Sequence, residues 1–498
     1  MTTPNFGHRP RAHQVRTVID AALVAATFAG CKASDLNITN PNSATVEGAS
    51  ADPSALQLLA TGLLADFRST RGGLMSTPGI LGRESYSFSP QEGRNTTHPL
   101  IGIVVGGVQK LDPTGFSTGI WGGEYGTLRD IFNFKNTVNN STTLNAAQKA
   151  AALGLAQTIE ATMLLHIVSA HDTLGAITEI KENAADLAPF VSRDSVYKFI
   201  LGTYDAAATN LAAGGAAFPF TLGPGYAGFN TPATFAQFNR AIRARASAYY
   251  ATSGGGTAAW QGALTALAGS FLNAAATTRA AFDVGVYHTY GVSPDSPNGF
   301  AVATNTNLYA HMSIQTDAQL KANGQPDDRY TAKVRTGLPA RTGPVTVDGP
   351  TSATSTLGYS IWPAQTSSIA IIRNEELILL RAEAKLATGD KAGAIADLNQ
   401  VRVNSGGLPA STLTAASSDD AIITGILYEK RYSLMMEGHR WVDMRRYKKL
   451  NLLPLDVASG PNKNFVAVVI PIGQAECLVR AKATGDLLGP NGQNNCAP

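Results

Sequence analysis

Residues 369–407 read as two amphipathic helices joined by a tight turn. Within the run RNEELILLRAEAKLA the apolar side chains recur three and four residues apart, which places them on one face of a helix. The turn at 388–390 interrupts this spacing, and the run KAGAIADLNQVRVN resumes it. Asp390 can cap the second helix, and Gly406-Gly407 can end it. Helix pairs of this kind, as in tetratricopeptide-like units of about 34 residues, bury their faces on neighbouring pairs, so the segment predicts a helical scaffold.

Helical periodicity with capping signals recurs along much of the chain. It predicts further helices over 54–71, 121–140, 145–171, 192–212, 231–254, 258–275 and 418–449. Two intervening stretches are rich in Gly, Pro, Ser, Thr and Asn; we expect long ordered loops over 72–118, and short strands or none over 277–368. The predicted fold class is mainly α, with residues 54–498 forming one domain in which helical repeats alternate with these loop-rich segments.

The first thirty residues have the pattern of an export signal. Three arginines precede a clean apolar run of ten residues, which is too short to span a bilayer. The following tetrapeptide FAGC resembles a bacterial lipobox, in which the cysteine becomes lipidated. We expect residues 1–30 to be a lipoprotein signal peptide, Cys31 the lipidation site and residues 31–53 a tether that holds the protein on a membrane. An ordinary secretory signal followed by an incidental cysteine is the alternative.

Two cysteines follow Cys31, namely Cys477 and Cys496. No pair has the spacing of a zinc site, so we expect no metal centre. Export would place both cysteines outside the cytosol, where a disulfide across the 18 intervening residues is plausible. In the chain-entropy description such a loop closure stabilises the fold by about 3 kcal/mol. Two free thiols are the alternative.

Charge and motifs argue against nucleic-acid binding and against catalysis. The formal net charge is +3, charged residues make up 15% of the chain, and no run of five or six like charges occurs. Neither a P-loop nor an HExxH pattern is present in the sequence. In the stretch EGHRWVDMRRY, at 437–447, His439 and Asp443 have the spacing of a base and its orienting partner on one helix. No nucleophile accompanies them, so we interpret the stretch as a buried Trp441 seam flanked by ion pairs and expect no enzyme activity.

Several of these segments together resemble the SusD/RagB family of outer-membrane nutrient-binding lipoproteins. They are the lipobox cysteine, the tether, the helix pair RNEELILLRAEAKLATGDKAGAIADLNQVR and the stretch ILYEKRYSLMMEGHRWVDMRRY. Family members end with a similar E-R…E-G-x-R-W-x-D-x-R run, which here is Glu429, Arg431, Glu437, Gly438, Arg440, Trp441, Asp443 and Arg445. The runs DDRY at 327–330 and VIPIGQAE at 469–476 are similar to two further family elements.

The resemblance implies a largely α-helical protein, with four tetratricopeptide-like helix pairs on one side and a more irregular ligand-binding region on the other. It implies that the E-G-x-R-W-x-D run is part of the fold. It also implies a partner, a SusC-like TonB-dependent β-barrel transporter, over which the lipoprotein sits as a lid. The location would be the outer membrane of a Gram-negative bacterium, on the cell surface. The lid would capture an oligomeric nutrient, often a glycan and sometimes a peptide, and the barrel would import it without a cofactor.

A captured glycan needs aromatic side chains on which the C–H faces of its rings can stack, and polar groups for its hydroxyls. We expect such side chains to be exposed on the loop-rich side, although each could equally pack its own loop. The ligand-binding candidates are Arg83, Tyr86, Phe88, Tyr287, Tyr290, Phe300, Tyr359 and Trp362. The alternatives are the same architecture binding peptides, a scaffold that binds only another protein, and a hydrolase with an unpatterned acid pair.

Overall fold

The computed structural model describes residues 53–484, with gaps at 117, 184, 343–352 and 461. The expected signal peptide, the lipidation site Cys31, nearly all of the tether and Cys496 lie outside the described residues.

The first described segment contains more helix than expected. It comprises helices α1 (Pro53–Ser69) and α2 (Arg71–Leu81), strand β1 (Ser85–Ser87), helix α3 (Arg94–Ile101) and the hairpin of β2 (Ile103–Val105) and β3 (Val108–Lys110). The prediction of loops throughout 72–118 is therefore wrong for α2 and α3.

Tertiary packing explains why α2 forms despite its glycines and proline. These residues have low helix propensity, which is what made the segment look like a loop. A Cβ on Gly73 would lie 2.8 Å from the carbonyl oxygen of Gly119, and one on Gly79 would lie 2.9 Å from Oγ of Ser85. Glycine is needed at both positions because neighbouring segments approach the helix so closely.

A layer of helices follows, and each helix in it packs against the next. Its members are α4 (Gly122–Asn140), α5 (Ala146–His171), α6 (Arg193–Ala212), α7 (Pro232–Tyr250) and α8 (Gly256–Ala268). All five confirm helices predicted from periodicity, with boundaries that differ mainly at the C-terminal ends of the last two.

Helix α5 is the core helix of this layer. Its first turn carries a capping box, in which Asn145 Oδ1 accepts a hydrogen bond from the backbone N–H of Gln148 at 2.9 Å and Gln148 Oε1 accepts one from that of Asn145 at 3.0 Å. Among the described residues, Ala146–Leu174 is the stretch long and apolar enough to cross a membrane, but 83% of its most apolar window is buried inside the protein. Burial on nearly every face explains why the helix is apolar all round.

The chain then passes through an irregular region of short elements. They are α9 (Arg279–Phe282), β4 (Gly285–His288), β5 (Leu308–Ala310), α10 (Ser313–Thr316), α11 (Asp328–Lys333), β6 (Val334–Arg335), β7 (Arg341–Thr342), β8 (Thr354–Ser355), β9 (Gly358–Tyr359) and β10 (Ile369–Arg373). An antiparallel sheet has the strand order β1-β5-β9-β6, and β4 pairs antiparallel with β10. In that second pairing Tyr287 lies opposite Ala370, and an irregularity follows before Ile372. This pairing fixes the position of Tyr287 beside β10.

The C-terminal helices complete the fold. They are α12 (Asn374–Ala387), α13 (Lys391–Asn404), α14 (Asp419–Ser433), α15 (Arg440–Arg446) and α16 (Gln474–Thr484). The pair α12 and α13 forms as predicted: Asp390 Oδ1 accepts a hydrogen bond from Gly393 N at 2.8 Å, and Gly407 has a φ of +64° after the second helix. Consecutive helices pair as α4/α5, α6/α7, α12/α13 and α14/α15, so the predicted mainly α class with helix pairs is confirmed.

The single helix predicted over 418–449 is wrong. Helix α14 ends at Ser433, and α15 begins at Arg440 after a turn in which Met436 and Gly438 have φ values of 61° and 86°. A Cβ on Gly438 would lie 2.7 Å from the carbonyl oxygen of Leu74, so α2 occupies the space beside the turn. Packing against α2 therefore determines this turn. The helical periodicity of the sequence does not indicate that contact.

Candidate ligand-binding clefts

The stretch that looked most like a catalytic centre is an ion-pair network inside the C-terminal helices. Lys430 Nζ donates to Glu383 Oε1 and to Asp443 Oδ1, both at 2.9 Å, and Arg446 Nε donates to Asp443 at 2.8 Å. Burial alone would raise the pKa of Glu383, but Arg446 and Lys430 outweigh it and lower the pKa to about 2. Beside this network Trp441 is buried, and its Nε1 donates to the carbonyl of Ala467 at 2.8 Å. These contacts hold the fold together, in agreement with the interpretation from sequence.

His439 is not paired with Asp443, contrary to the arrangement that their spacing allowed. It is the residue before α15, and its Nδ1 lies 3.0 Å from the hydroxyl of Tyr249 on α7. Burial, followed by the charge of Arg245, places the pKa of His439 well below its ordinary value. The ring is therefore a neutral core group rather than a base poised towards a cleft.

Four of the sequence candidates lie in the core. Arg83, Tyr86, Phe88 and Tyr359 are each at most 2% exposed. Arg83 donates through Nε to the carbonyl of Pro454 at 2.9 Å, and Tyr86 donates to Asp456 Oδ2 at 2.9 Å. Their expected exposure is wrong, because the first three follow α2 into β1 and its flanks while Tyr359 lies on β9 of the same sheet. They present no surface to a ligand.

The larger of two open clefts borders strand β10 and is called cleft I. Its volume is about 510 Å³. Tyr287, Ile361, Trp362 and Ile369 supply apolar surface in its wall. Trp362 is only 3% exposed and packs against Phe300, with ring centroids 5.7 Å apart. The tryptophan thus contributes only a small exposed area to the cleft wall and is packed against Phe300.

Charged side chains of both signs line the rest of cleft I. They are Arg279, Asp283, Asp328, Arg329, Lys333, Arg373 and Glu437. Most are paired: Arg373 donates to Glu437 Oε1 at 2.7 Å, and Arg279 donates to Asp283 Oδ1 at 2.7 Å. Such fixed donors and acceptors suit polar ligand groups, because their orientation is set before the ligand arrives.

Lys333 differs from the other cations of cleft I. Among the described residues no carboxylate lies within 4.0 Å of its Nζ, which instead donates to the carbonyls of Tyr432, at 2.8 Å, and Ser433. Burial, followed by the charge of Arg373, lowers the pKa of Lys333 to about 8.

The second cleft, called cleft II, lies between α1, the loop at 221–226 and the end of β4. Its volume is about 410 Å³, and Tyr226, Tyr287, Arg68 and Asp295 are among its lining residues. Arg68 donates to Asp295 Oδ1 at 2.6 Å and lies over the ring of Tyr290, 5.4 Å from its centroid. Tyr290 is thereby placed at the edge of cleft II.

Tyr287 lines both clefts. It is therefore the sequence candidate that connects the candidates bordering cleft I with the one bordering cleft II. Its neighbourhood is tightly built, since a Cβ on Gly225 would lie 2.0 Å from the Tyr287 carbonyl oxygen. Sequence reasoning missed Arg68, Tyr226 and Lys333. They come from three segments far apart in the chain, and no local pattern marks them as neighbours of Tyr287.

Comparison with known proteins agrees with this architecture. The model of the SusD family matches residues 245–476, a stretch that contains every residue lining cleft I. This part of the chain is therefore similar in sequence to the SusD family. Among curated proteins, the SusD-like protein P38 of Formosa agariphila is 34% identical over 90 residues, which are 17% of this chain and 18% of that relative.

Solved structures extend the SusD-like fold over most of the chain. A SusD-like carbohydrate-binding protein from Bacteroides fragilis superposes with a TM-score of 0.61 at 14% identity, covering 86% of this chain and 99% of its own. NanU from the same species superposes with a TM-score of 0.57 at 16% identity, covering 91% of this chain and all of its own. At such identities the likeness establishes the SusD-like fold, but it does not establish the ligand or the partner.

Cys477 is the one cysteine within the described residues. It lies in α16, it is buried, and it is disulfide-bonded. Its predicted partner Cys496 lies outside the described residues, so that pairing stays a prediction.

Proposed function

We propose that this protein is a lipid-anchored capture subunit that binds an oligomeric nutrient, most simply a glycan, and delivers it to a SusC-like TonB-dependent transporter in the outer membrane. The observation that carries the proposal is the pair of clefts, about 510 and 410 Å³, that meet at Tyr287. Both volumes fall within the range of about 300–1,000 Å³ that is usual for ligand sites. A ligand of several linked units could occupy both clefts while crossing one aromatic side chain.

The residues that line the clefts are suited to binding a ligand without forming or breaking covalent bonds. The ring of Tyr287 would offer a face for a sugar, and Trp362 adds a small apolar area to the wall of cleft I. Arg279, Asp283 and Asp328 project partly into solvent around the rim and would exchange hydrogen bonds with hydroxyl groups. The ligand is held and released unchanged, as a transporter-delivery role requires.

A peptide is the second candidate ligand, and the charges of cleft I favour it. The rim carries Arg279 on one element and Asp328 on another, both partly exposed. An extended peptide with groups of opposite sign would find partners at both positions, whereas a neutral glycan uses them only as hydrogen-bonding groups. The cell-surface location, the lipid on Cys31 and the transporter are part of the same proposal and rest on the resemblance to the family.

Binding to a glycan microarray and to a peptide array tests the capture role directly. We expect the wild-type protein to retain one class of probe, and Tyr287→Ala to reduce that signal by more than tenfold because the surface shared by both clefts is lost. Tyr250→Ala is the matched control, since Tyr250 is partly exposed at the end of α7 and lines neither cleft. Equal binding by both variants would contradict the assignment of the clefts, and no retained probe would contradict small-ligand capture.

A further inference from the structure

A third, much smaller cavity borders cleft I, with which it shares Glu437 in its lining. Its volume is about 40 Å³, and nearly all of its lining residues are buried. By the rule that about 10–15 Å³ holds one water molecule, it admits a few atoms and excludes a sugar ring. Its polar side chains come from α2, α5, α7 and the turn before α15, where Glu437 and His439 lie, so the cavity lies where four segments meet.

Four polar atoms on this lining have no hydrogen-bond partner among the described residues. They belong to side chains that are each at most 8% exposed: Arg71 Nε, His166 Nδ1, Ser169 Oγ and His439 Nε2. The nearest charged partner of His439 is Glu376, and their 3.7 Å separation is too long for a hydrogen bond. Four such atoms around one cavity point to an occupant, because unsatisfied buried polar groups are costly.

The charges around the cavity identify the sign of that occupant. Arg245 is neutralised by Glu376, with two hydrogen bonds of 2.6 and 2.7 Å, and the Glu437 carboxylate is held by Arg373 at 2.7 Å. Arg71 donates to the backbone carbonyl of Glu437 at 2.9 Å. Within the described residues no carboxylate lies within 4.0 Å of the Arg71 guanidinium.

The two histidines add no second positive charge. Burial is the largest cause that places the pKa of both His166 and His439 well below the ordinary value, and nearby arginines act in the same direction. Each neutral ring can still donate one hydrogen bond. Among the described residues, Arg71 is therefore a buried cation without a carboxylate in direct contact, although Glu437 and Glu376 act on it at longer range, and several donors surround it.

We infer that this cavity is a binding site for a small monovalent anion, chloride in the simplest case, held by Arg71, Ser169 and His439. An anion supplies the negative charge that a buried guanidinium otherwise lacks, and it accepts hydrogen bonds from the unsatisfied donors. Water would satisfy the donors but would leave Arg71 without an anion in direct contact. The site shares Glu437 with cleft I but does not depend on the proposed capture function, and it would bind helices α2, α5 and the start of α15 to one another.

Crystals of the protein grown in sodium bromide test the inference, because bromide replaces chloride and scatters anomalously. We expect one strong anomalous peak inside the cavity, within hydrogen-bond reach of Arg71 Nε and Ser169 Oγ. Bromide peaks at the surface only, with water-like density in the cavity, would overturn the inference.

Thermal unfolding gives the second readout. The melting temperature of the wild type should rise with chloride when sodium gluconate keeps ionic strength constant, since gluconate is too large for the cavity. Arg71→Met and the milder Ser169→Ala should reduce this dependence. Arg83→Met is the matched control, because Arg83 is equally buried but donates to backbone carbonyls, including those of Pro454 and Phe465. Chloride dependence equal in all three variants and the wild type would also overturn the inference.

Discussion

Individual buried charges in this protein serve mainly to hold helices together. Lys430 is the clearest example, since it bridges Glu383 on α12 and Asp443 on α15 from its position on α14. A buried ion pair is weak evidence for net stabilisation, but the loss of one partner leaves an uncompensated charge. Asp443, which looked catalytic in the sequence, is thus part of an ion-pair network that connects three helices.

Replacement of Lys430 by methionine should destabilise the protein by about 3 kcal/mol, because Glu383 and Asp443 would keep their charges in the interior. Urea unfolding followed by circular dichroism measures the effect. Lys198→Met is the control, since its ion pair with Asp194 is exposed and should contribute little. A Lys430→Met variant as stable as the control would contradict the structural role of the network.

Glu383 should also make stability depend on pH. Its pKa falls from an ordinary value of 4.5 to about 2 on folding, so its contribution is fully present above about pH 4.5. That contribution is lost as the pH falls from about 4.5 to about 2, because the unfolded state takes up the proton first. The difference in unfolding free energy between wild type and Glu383→Gln should therefore shrink over this range. A difference that is constant between about pH 6 and pH 3 would show that Glu383 does not titrate in this way.

At the scale of elements, local sequence signals predicted the features that depend on contacts within a single helix. The cap at Asp390 lies where the sequence placed it, because its side chain accepts a hydrogen bond from a backbone N–H three residues further on. Helix α2 and the break between α14 and α15 were missed for a common reason. Both depend on contacts between α2 and Gly119 or Gly438, distant segments that approach closely, and periodicity carries no information about such contacts.

The same limit applies to the candidate site. Tyr287 and Trp362 were found because aromatic residues in polar loops are uncommon, and pairing of β4 with β10 then brings Tyr287 to cleft I. Tyr86, Phe88 and Tyr359 carry the same signal but are buried in the sheet and its flanks, as Arg83 is. Whether a loop aromatic faces solvent depends on strand pairing over hundreds of residues, which composition does not specify.

Gly438 offers a test of the turn that separates α14 from α15. Gly438→Ala should destabilise the protein by more than 2 kcal/mol, since it combines a positive φ with a Cβ 2.7 Å from the Leu74 carbonyl oxygen. Gly228→Ala isolates the conformational part, because Gly228 has a φ of +80° and open space around it, and should cost about 1 kcal/mol. Equal losses in thermal or urea unfolding would show that the contact with α2 does not constrain the turn.

At the scale of the whole molecule, the helix pairs and the irregular region have different tasks. The helices from α4 to α8 pack in sequence and continue into α12, which makes a firm support. Cleft I is bordered mainly by the irregular elements, and cleft II lies between those elements and α1. This division fits a capture protein, in which a rigid scaffold positions variable loops around a ligand.

The proposed role of the protein is that of the capture subunit of a membrane transporter. Purification of the tagged full-length protein from its native membranes in mild detergent, with mass spectrometry of co-purifying proteins, tests this most directly. We predict that a TonB-dependent β-barrel co-purifies in stoichiometric amount. We also predict that it is lost with Cys31→Ser, which removes the expected lipid attachment site. Recovery of the wild-type protein alone, or with a periplasmic enzyme in place of a barrel, would contradict the account.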